Sequence, residues 1–176
     1  MDAISETRLA AVHSLLKSKI EELWGQMRAK QIDFRITQGL RTVAEQAALY
    51  AKGRNAAGEI VSPGEVVTHA KPGASWHQFG LAVDFAPISN GAPDWDLSHP
   101  EWITIRDAGE KLGLVSGSRW LPKSLTDWPH FQLSGVFPVS PTDQVRELYA
   151  NGGLEAVWNA SGLSVAGGAE SAGIAT

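Results

Sequence analysis

The sequence predicts an α+β domain in which one small antiparallel sheet is flanked by helices. Three observations carry this reading. Apolar residues recur at helical spacing near the N-terminus. Short strand patterns are separated by helix caps and loops, in the order helix, strand, helix, loop, strand, helix, strand, helix. The length, 176 residues, suits one domain.

The elements follow in order. Leu9, Val12, Leu16, Ile20, Leu23 and Met27 share one face, so about Ser5 to Lys30 should form a single amphipathic helix. IDFRIT, from Ile32, alternates as a strand does. Thr42 and Glu45 form a T-x-x-E capping box that should start a helix running to about Lys52, with Gly53 ending it. Residues 53–76 carry Gly and Pro but little apolar period, so a long loop is expected, and such loops often serve function. FGLAVDFAP reads as a buried strand. Ser98, Pro100 and Glu101 offer a cap, an N1 proline and a capping acid for a helix ending near Gly113. HFQL is a short strand, and Ser140-Pro141 repeats the cap signal before the helix DQVRELYA. The expected organisation is one domain over 1–151. A flexible Gly/Ala/Ser-rich tail follows over 152–176, from which Leu154 and Trp158 could dock back.

Composition excludes several function classes. There is no cysteine, hence no disulfide, thiolate zinc site, iron–sulfur cluster or thiol nucleophile. Any metal must be held by carboxylates and the five histidines. A formal net charge of −4 lacks the basic footprint of a non-specific nucleic-acid binder. No stretch approaches the apolar length of a membrane span, and stable membrane association is not expected. The first twenty residues begin acidic and have no continuous apolar run, so no secretory signal is expected.

A zinc site without cysteine needs three ligands from His, Asp and Glu and an open water position. The richest cluster is Ser75-Trp-His77-Gln-Phe-Gly80-Leu-Ala82-Val-Asp84. On a straight strand the odd separation of His77 and Asp84 would send them to opposite faces, and Gly80 could relieve this with a bend or bulge. The second cluster is Asp127-Trp-Pro-His130. His77, Asp84 and His130 then make a three-ligand set, with Asp127 left as general base. On spacing alone, a His or Asp near a strand end serves as a structural hydrogen-bonding residue more often than as a ligand.

Other residues have plainer readings. His13 is a solvated or partly packed helix residue, and His99 belongs to a helix cap. Trp24 and Trp102 are core, while Trp76 and Trp128 suit a pocket wall as well as they suit packing. Arg41 on its own could be a surface ion pair. Asp94 and Asp96 lack EF-hand spacing and read as a turn.

The pattern S75-x-H77-x-x-G80-x-A82-x-D84, followed by D127-x-x-H130, resembles the zinc peptidases that cleave bacterial cell-wall peptides. These are the D-Ala-D-Ala carboxypeptidases and dipeptidases and the L-alanyl-D-glutamate endopeptidases of phage endolysins. ITQGLRTVAEQAALYAKGR, with Arg41, and the order of segments after it are also similar, over roughly Ile32 to Leu133. The resemblance implies the small α+β hedgehog / D-Ala-D-Ala metallopeptidase fold. It implies that His77, Asp84 and His130 bind one Zn²⁺, and that Asp127 is base and then acid to the leaving amine. Many relatives carry Glu there, and the shorter Asp needs a different placement. It implies that Arg41 stabilises the oxyanion or holds a substrate carboxylate, and that Ser75 hydrogen-bonds near the site or the substrate. By their position beside the motifs, Trp76, Trp128 and His69 are further candidates for substrate contact. His69, close to the cluster, is also the rival ligand.

The implied activity is hydrolysis of a peptidoglycan stem-peptide bond, foremost L-Ala-D-Glu, by a monomeric phage or prophage endolysin. Such a protein would be made in the cytoplasm and reach the wall through a holin. The alternatives are a D-Ala-D-Ala carboxypeptidase, a non-catalytic wall-binding zinc domain, and a phosphoesterase. The last would need a second metal and more ligands than the sequence offers.

Overall fold

The structure is a computed structural model and describes residues 1–133 and 140–160. The N-terminal apolar stripe is divided between two helices, α1 (Ala3–Leu9) and α2 (Ser14–Arg28), instead of forming one helix over 5–30. His13 makes the break: its Nδ1 accepts the Leu15 N–H at 3.1 Å, and its own N–H donates to Gly80 O at 2.9 Å. Leu9, Val12 and Leu16 stay buried across the break, so the stripe itself carries no sign of it. His13 is accordingly buried, which pushes its pKa down and suits the unprotonated Nδ1 of the cap. Leu16, Ile20, Leu23 and Met27 are fully enclosed. Each such side chain contributes about 1.5–3 kcal/mol relative to exposure.

The sheet is antiparallel throughout. Strand β1 (Phe34–Gln38) pairs with β2 (Ala82–Ser89), β2 with β5 (His130–Leu133), and β5 with β4 (Leu114–Ser116). Strand β3 (Ala92–Pro93) folds back on the end of β2. Alternation did not predict β3 or β4, because two or three residues are too few to show a period of two.

Helix α3 (Val43–Ala51) begins at the expected capping box, with Thr42 Oγ1 3.1 Å from Glu45 N and Glu45 Oε2 2.7 Å from Thr42 N. Of the expected loop over 53–76, residues 53–75 are irregular apart from one bridge, Arg54↔Ile60, and a 3₁₀ turn, Pro63–Glu65, and Trp76 opens a second such turn. Helix α4 (Pro100–Lys111) has Pro100 in its first turn, but His99 rather than Ser98 stands at the cap. The His99 ring makes no cap; it binds Asp94 in the Asp94–Asp96 turn.

Helix α5 (Asp143–Ala160) is capped by Thr142, whose hydroxyl accepts the Val145 N–H at 3.4 Å, and not by Ser140. It breaks at Gly152–Gly153, whose backbone is non-helical, and a second helical stretch then runs to Ala160, where a flexible tail was expected. Trp158 docks as anticipated, and Val157 is fully buried. The remainder of the expected tail, 161–176, lies outside the described residues.

The core between sheet and α4 is aromatic. Phe85 stacks on Phe131 at 4.7 Å and tilts against the buried Trp102 at 5.3 Å. Gly109 lets α4 settle onto this stack, since a Cβ there would come within 2.5 Å of the Phe131 ring. The same β2–β5 pairing that stacks these rings on one face carries polar groups on the other.

Candidate metal centre and its cleft

Asp84 and His130 are direct partners in the β2–β5 ladder, so the strand register sets two donor groups side by side. His77 comes from a 3₁₀ turn, Trp76–Phe79, that leads into β2. Gly80 closes this turn with φ +64°, a left-handed conformation that costs a glycine little. The odd spacing of His77 and Asp84 is therefore resolved by a helical turn before the strand, and not by a bulge within it.

The outer ring nitrogens are already committed. His77 Nδ1 lies 2.9 Å from Gly39 O, and His130 Nε2 lies 3.1 Å from Gln132 Oε1. Both oxygens can only accept, so both protons point outward. The lone pairs of His77 Nε2 and His130 Nδ1 then face each other at 3.2 Å. Asp84 Oδ1 completes the triangle at 3.1 Å from His77 Nε2 and 3.4 Å from His130 Nδ1. Three acceptors so placed repel unless a cation lies among them. A tetrahedral ion with bonds of about 2.0–2.1 Å spaces its donors by about 3.3 Å. Two imidazoles and one carboxylate, each imidazole oriented by an outer oxygen, fit a single Zn²⁺ with an open fourth position.

The electrostatics agree. Burial pushes the Asp84 carboxyl up, but the His77 and His130 rings outweigh it and hold the carboxylate well below its usual range. Burial likewise opposes charge on His130, yet the hydrogen bond and charge of Asp84, then the charge of Asp127, raise its pKa. The cluster thus draws positive charge even as a bare protein.

Asp127 lines the same cleft. Its carboxyl is pushed up, first by desolvation and next by the negative charge of Asp84. Gly117 brings it there: Gly117 O accepts the Asp127 N–H at 3.0 Å, and a Cβ at 117 would sit 2.5 Å from Asp127 O and 3.0 Å from the Cβ of His130. Arg41 enters from the loop before α3. Its Nη2 reaches Asp84 Oδ2 at 3.5 Å, its Nη1 donates to Gln46 Oε1 at 3.0 Å, and its N–H donates to His77 O at 3.0 Å. It is largely enclosed, so the reading as a surface ion pair does not hold.

These residues open onto a cleft of about 1020 Å³. Val66, Val67, Thr68 and His69 from the long loop line it, as do Trp120, Leu121 and Leu125. Ser75 and Trp76 line it too, although Trp76 is mostly buried against Phe79. Trp128 is the exception among the expected substrate contacts. It packs against the core beneath the Arg106 guanidinium, 5.5 Å from its ring, and is not among the residues lining the cleft. His69 lines the cleft but stands outside the donor cluster.

Sequence reasoning missed Gln46, Gln132, Gly117 and Trp120. Gln46 is fully buried and joins Arg41 to Ala70 O, 2.7 Å away. Trp120 lies with its ring 4.9 Å from that of His130. Only the i, i+2 spacing of His130 and Gln132, which puts both on one face of a strand, could have been read beforehand.

Comparison with known proteins gives a consistent picture. The family model described as D-alanyl-D-alanine carboxypeptidase (VanY) matches residues 10–116, a span that includes His77 and Asp84 but not Asp127 or His130. The peptidoglycan L-alanyl-D-glutamate endopeptidase CwlK of Bacillus subtilis is 32% identical over 130 residues, covering 69% of this chain and 73% of that protein. The L-alanyl-D-glutamate peptidase of Escherichia phage T5 is 32% identical over 121 residues, covering 66% and 77%. A solved vancomycin-resistance D,D-pentapeptidase VanY, a mutant in complex with Zn(II), superposes with a TM-score of 0.54 at 19% identity, covering 82% of each chain.

Proposed function

The chain belongs to the D-alanyl-D-alanine carboxypeptidase (VanY) family, and from that premise we propose that it is a zinc peptidase of peptidoglycan stem peptides that cuts the L-Ala-D-Glu bond. The observation that carries the reading is the triangle of His77 Nε2, His130 Nδ1 and Asp84 Oδ1, with both imidazole protons turned outward. These three residues would hold the ion.

Zinc at such a site polarises a carbonyl and brings the acidity of water towards neutrality. The chain does the rest. Asp127, whose carboxyl is raised by its surroundings, takes a proton from the attacking water and returns it to the leaving amine. Arg41, braced by Gln46, donates to the substrate oxygen as negative charge grows there, or grips a substrate carboxylate. Ser75, Trp76 and His69 line the path of the peptide.

Two features favour an endopeptidase over a carboxypeptidase. The curated relatives that match at 32% identity are named for the L-alanyl-D-glutamate bond. The cleft, at about 1020 Å³, is as large as the ~300–1,000 Å³ typical of ligand sites allows, which suits a peptide that continues beyond the bond being cut. The enzyme works at the cell wall. No helix among the described residues is long and apolar enough to cross a membrane. Release through a holin, as for a phage endolysin, and action as a monomer complete the proposal.

Digestion of purified cell walls followed by mass spectrometry of the fragments tests it. A new amino terminus on D-Glu is expected, and it should vanish on chelation and return with Zn²⁺. Release of free D-Ala alone would favour the carboxypeptidase. Absence of any zinc-dependent cleavage would refute the reading.

A further inference from the structure

The ligand-bearing segment 73–80 is held from behind by a helix that lies outside the 10–116 family match. Helix α5 touches this segment at both ends. Ahead of His77, Arg146 Nη1 donates to Gly73 O at 3.2 Å while also bonding Pro141 O at 2.9 Å. Its stem fills the space at Gly73, where a Cβ would lie 2.9 Å from Arg146 Cδ. Past His77, Trp158 Nε1 donates to Phe79 O at 2.8 Å. The Trp158 ring closes over Gly80, 3.0 Å from where a Cβ would be, and stands edge-on to His13 at 5.3 Å. Between these points Tyr149 meets Phe79 edge to face at 5.4 Å. His77 therefore sits in a segment bonded to α5 through a carbonyl ahead of its turn, Gly73 O, and through the last carbonyl of the turn, Phe79 O.

We propose that α5 is a clamp for the metal centre, with Arg146 and Trp158 as positioning residues that hold His77 at ligating distance from Asp84 and His130. Other contacts tie the same segment: Gln78 Oε1 accepts the Gly73 N–H at 2.7 Å, the His77 ring reaches Gly39 O, His77 O accepts the Arg41 N–H at 3.0 Å, and Gly80 O accepts the His13 N–H at 2.9 Å. The α5 contacts add to these, and without them the 3₁₀ turn gains freedom to shift His77 Nε2 relative to the other donors. The kink at Gly152–Gly153 serves this geometry. It lets one helical stretch hold Gly73 and the next hold Gly80.

The inference rests on the zinc reading, and its test separates the two. Zn²⁺ affinity is measured by chelator competition on folded Arg146→Met and Trp158→Phe, with Arg146→Lys as the conservative partner and Met27→Val, in the distant α2 core, as a stability control. Outer partners of metal ligands affect affinity by ~10–100-fold, and the clamp acts one step further out, so about a tenfold loss is expected for Met and Phe. Arg146→Lys should recover part of it, and Met27→Val should bind as wild type does despite a lower Tm. Wild-type affinity in both Arg146→Met and Trp158→Phe would overturn the clamp. Failure of the wild-type chain itself to bind Zn²⁺ would overturn the zinc reading instead. Arg146 is partly exposed, so Arg146→Met decides the matter even should Trp158→Phe not fold.

Discussion

Gly117→Ala is the substitution whose effect follows most directly from the geometry. The added methyl would sit 2.5 Å from Asp127 O and 3.0 Å from the Cβ atoms of both Asp127 and His130, against ordinary contact from 3.4 Å. None of these atoms can swing away by changing rotamer. Either the turn after β4 or the 127–130 segment must retreat by roughly an ångström. Overpacking of this kind costs about 1–3 kcal/mol. At ~2–4 °C per kcal/mol for a chain of this size, Tm should fall by roughly 2–12 °C. The chemistry should suffer more than the fold, because an ångström of misplacement in a catalytic group is worth about 10²-fold in rate. Calorimetry and wall-fragment kinetics on the same preparation measure both. Gly25→Ala is the matched control. It lies inside α2 with nothing within 4 Å of a new Cβ, so it should raise stability by about 0.4–1 kcal/mol and leave kcat/KM alone. A Gly117→Ala enzyme with wild-type Tm and wild-type kcat/KM would refute the claim that this contact sets the Asp127–His130 geometry.

Three further outcomes are expected. Asp127→Asn should keep zinc but lose ~10²–10⁴-fold in turnover, while His77→Ala should lose the metal itself; metal content and fragment kinetics distinguish them. Gln132→Leu removes the acceptor that fixes the His130 proton outward, so Zn²⁺ affinity should drop by ~10-fold or more, and Gln132→Glu should restore it, as chelator competition would report. His99 has its pKa raised by the hydrogen bond and then the charge of Asp94, so the pairing stabilises the fold below about pH 6.5 and is lost as pH rises through the higher folded value. An NMR titration should place its midpoint above that of a free histidine, and Asp94→Asn should bring it back down.

Much of the molecule was legible where local chemistry decides local shape. Thr42 and Glu45 announced α3, Pro100 marked the start of α4, and the β2 and β5 strands carried their donors at positions the pattern gave. The failures share a cause. The break at 10–13 leaves Leu9, Val12 and Leu16 on one side, so periodicity passes over it unchanged. Gly152–Gly153 looks like a helix stop, yet burial of Val157 and Trp158 draws the chain back into a helix beyond it, and tertiary packing overrides propensity. Gln46, Gln132 and Gly117 act through orientation: a side-chain oxygen or a missing methyl matters only once distant segments have met. Trp128 shows the converse, since adjacency to Asp127 in sequence did not bring its ring into the cleft.

The direct pairing of Asp84 with His130 also bears on how the protein folds. The two strands are far apart in the chain, and a slip of one residue between them would turn one donor to the aromatic side of the sheet. A misaligned compact state could still bury its apolar residues tolerably well, but it could not bind the ion. Zinc would therefore act as a checksum on topology, rewarding the correct alignment of β2 and β5 and no near neighbour of it. Refolding with and without Zn²⁺ would then differ less in the speed of collapse than in the fraction of chains that finish in register.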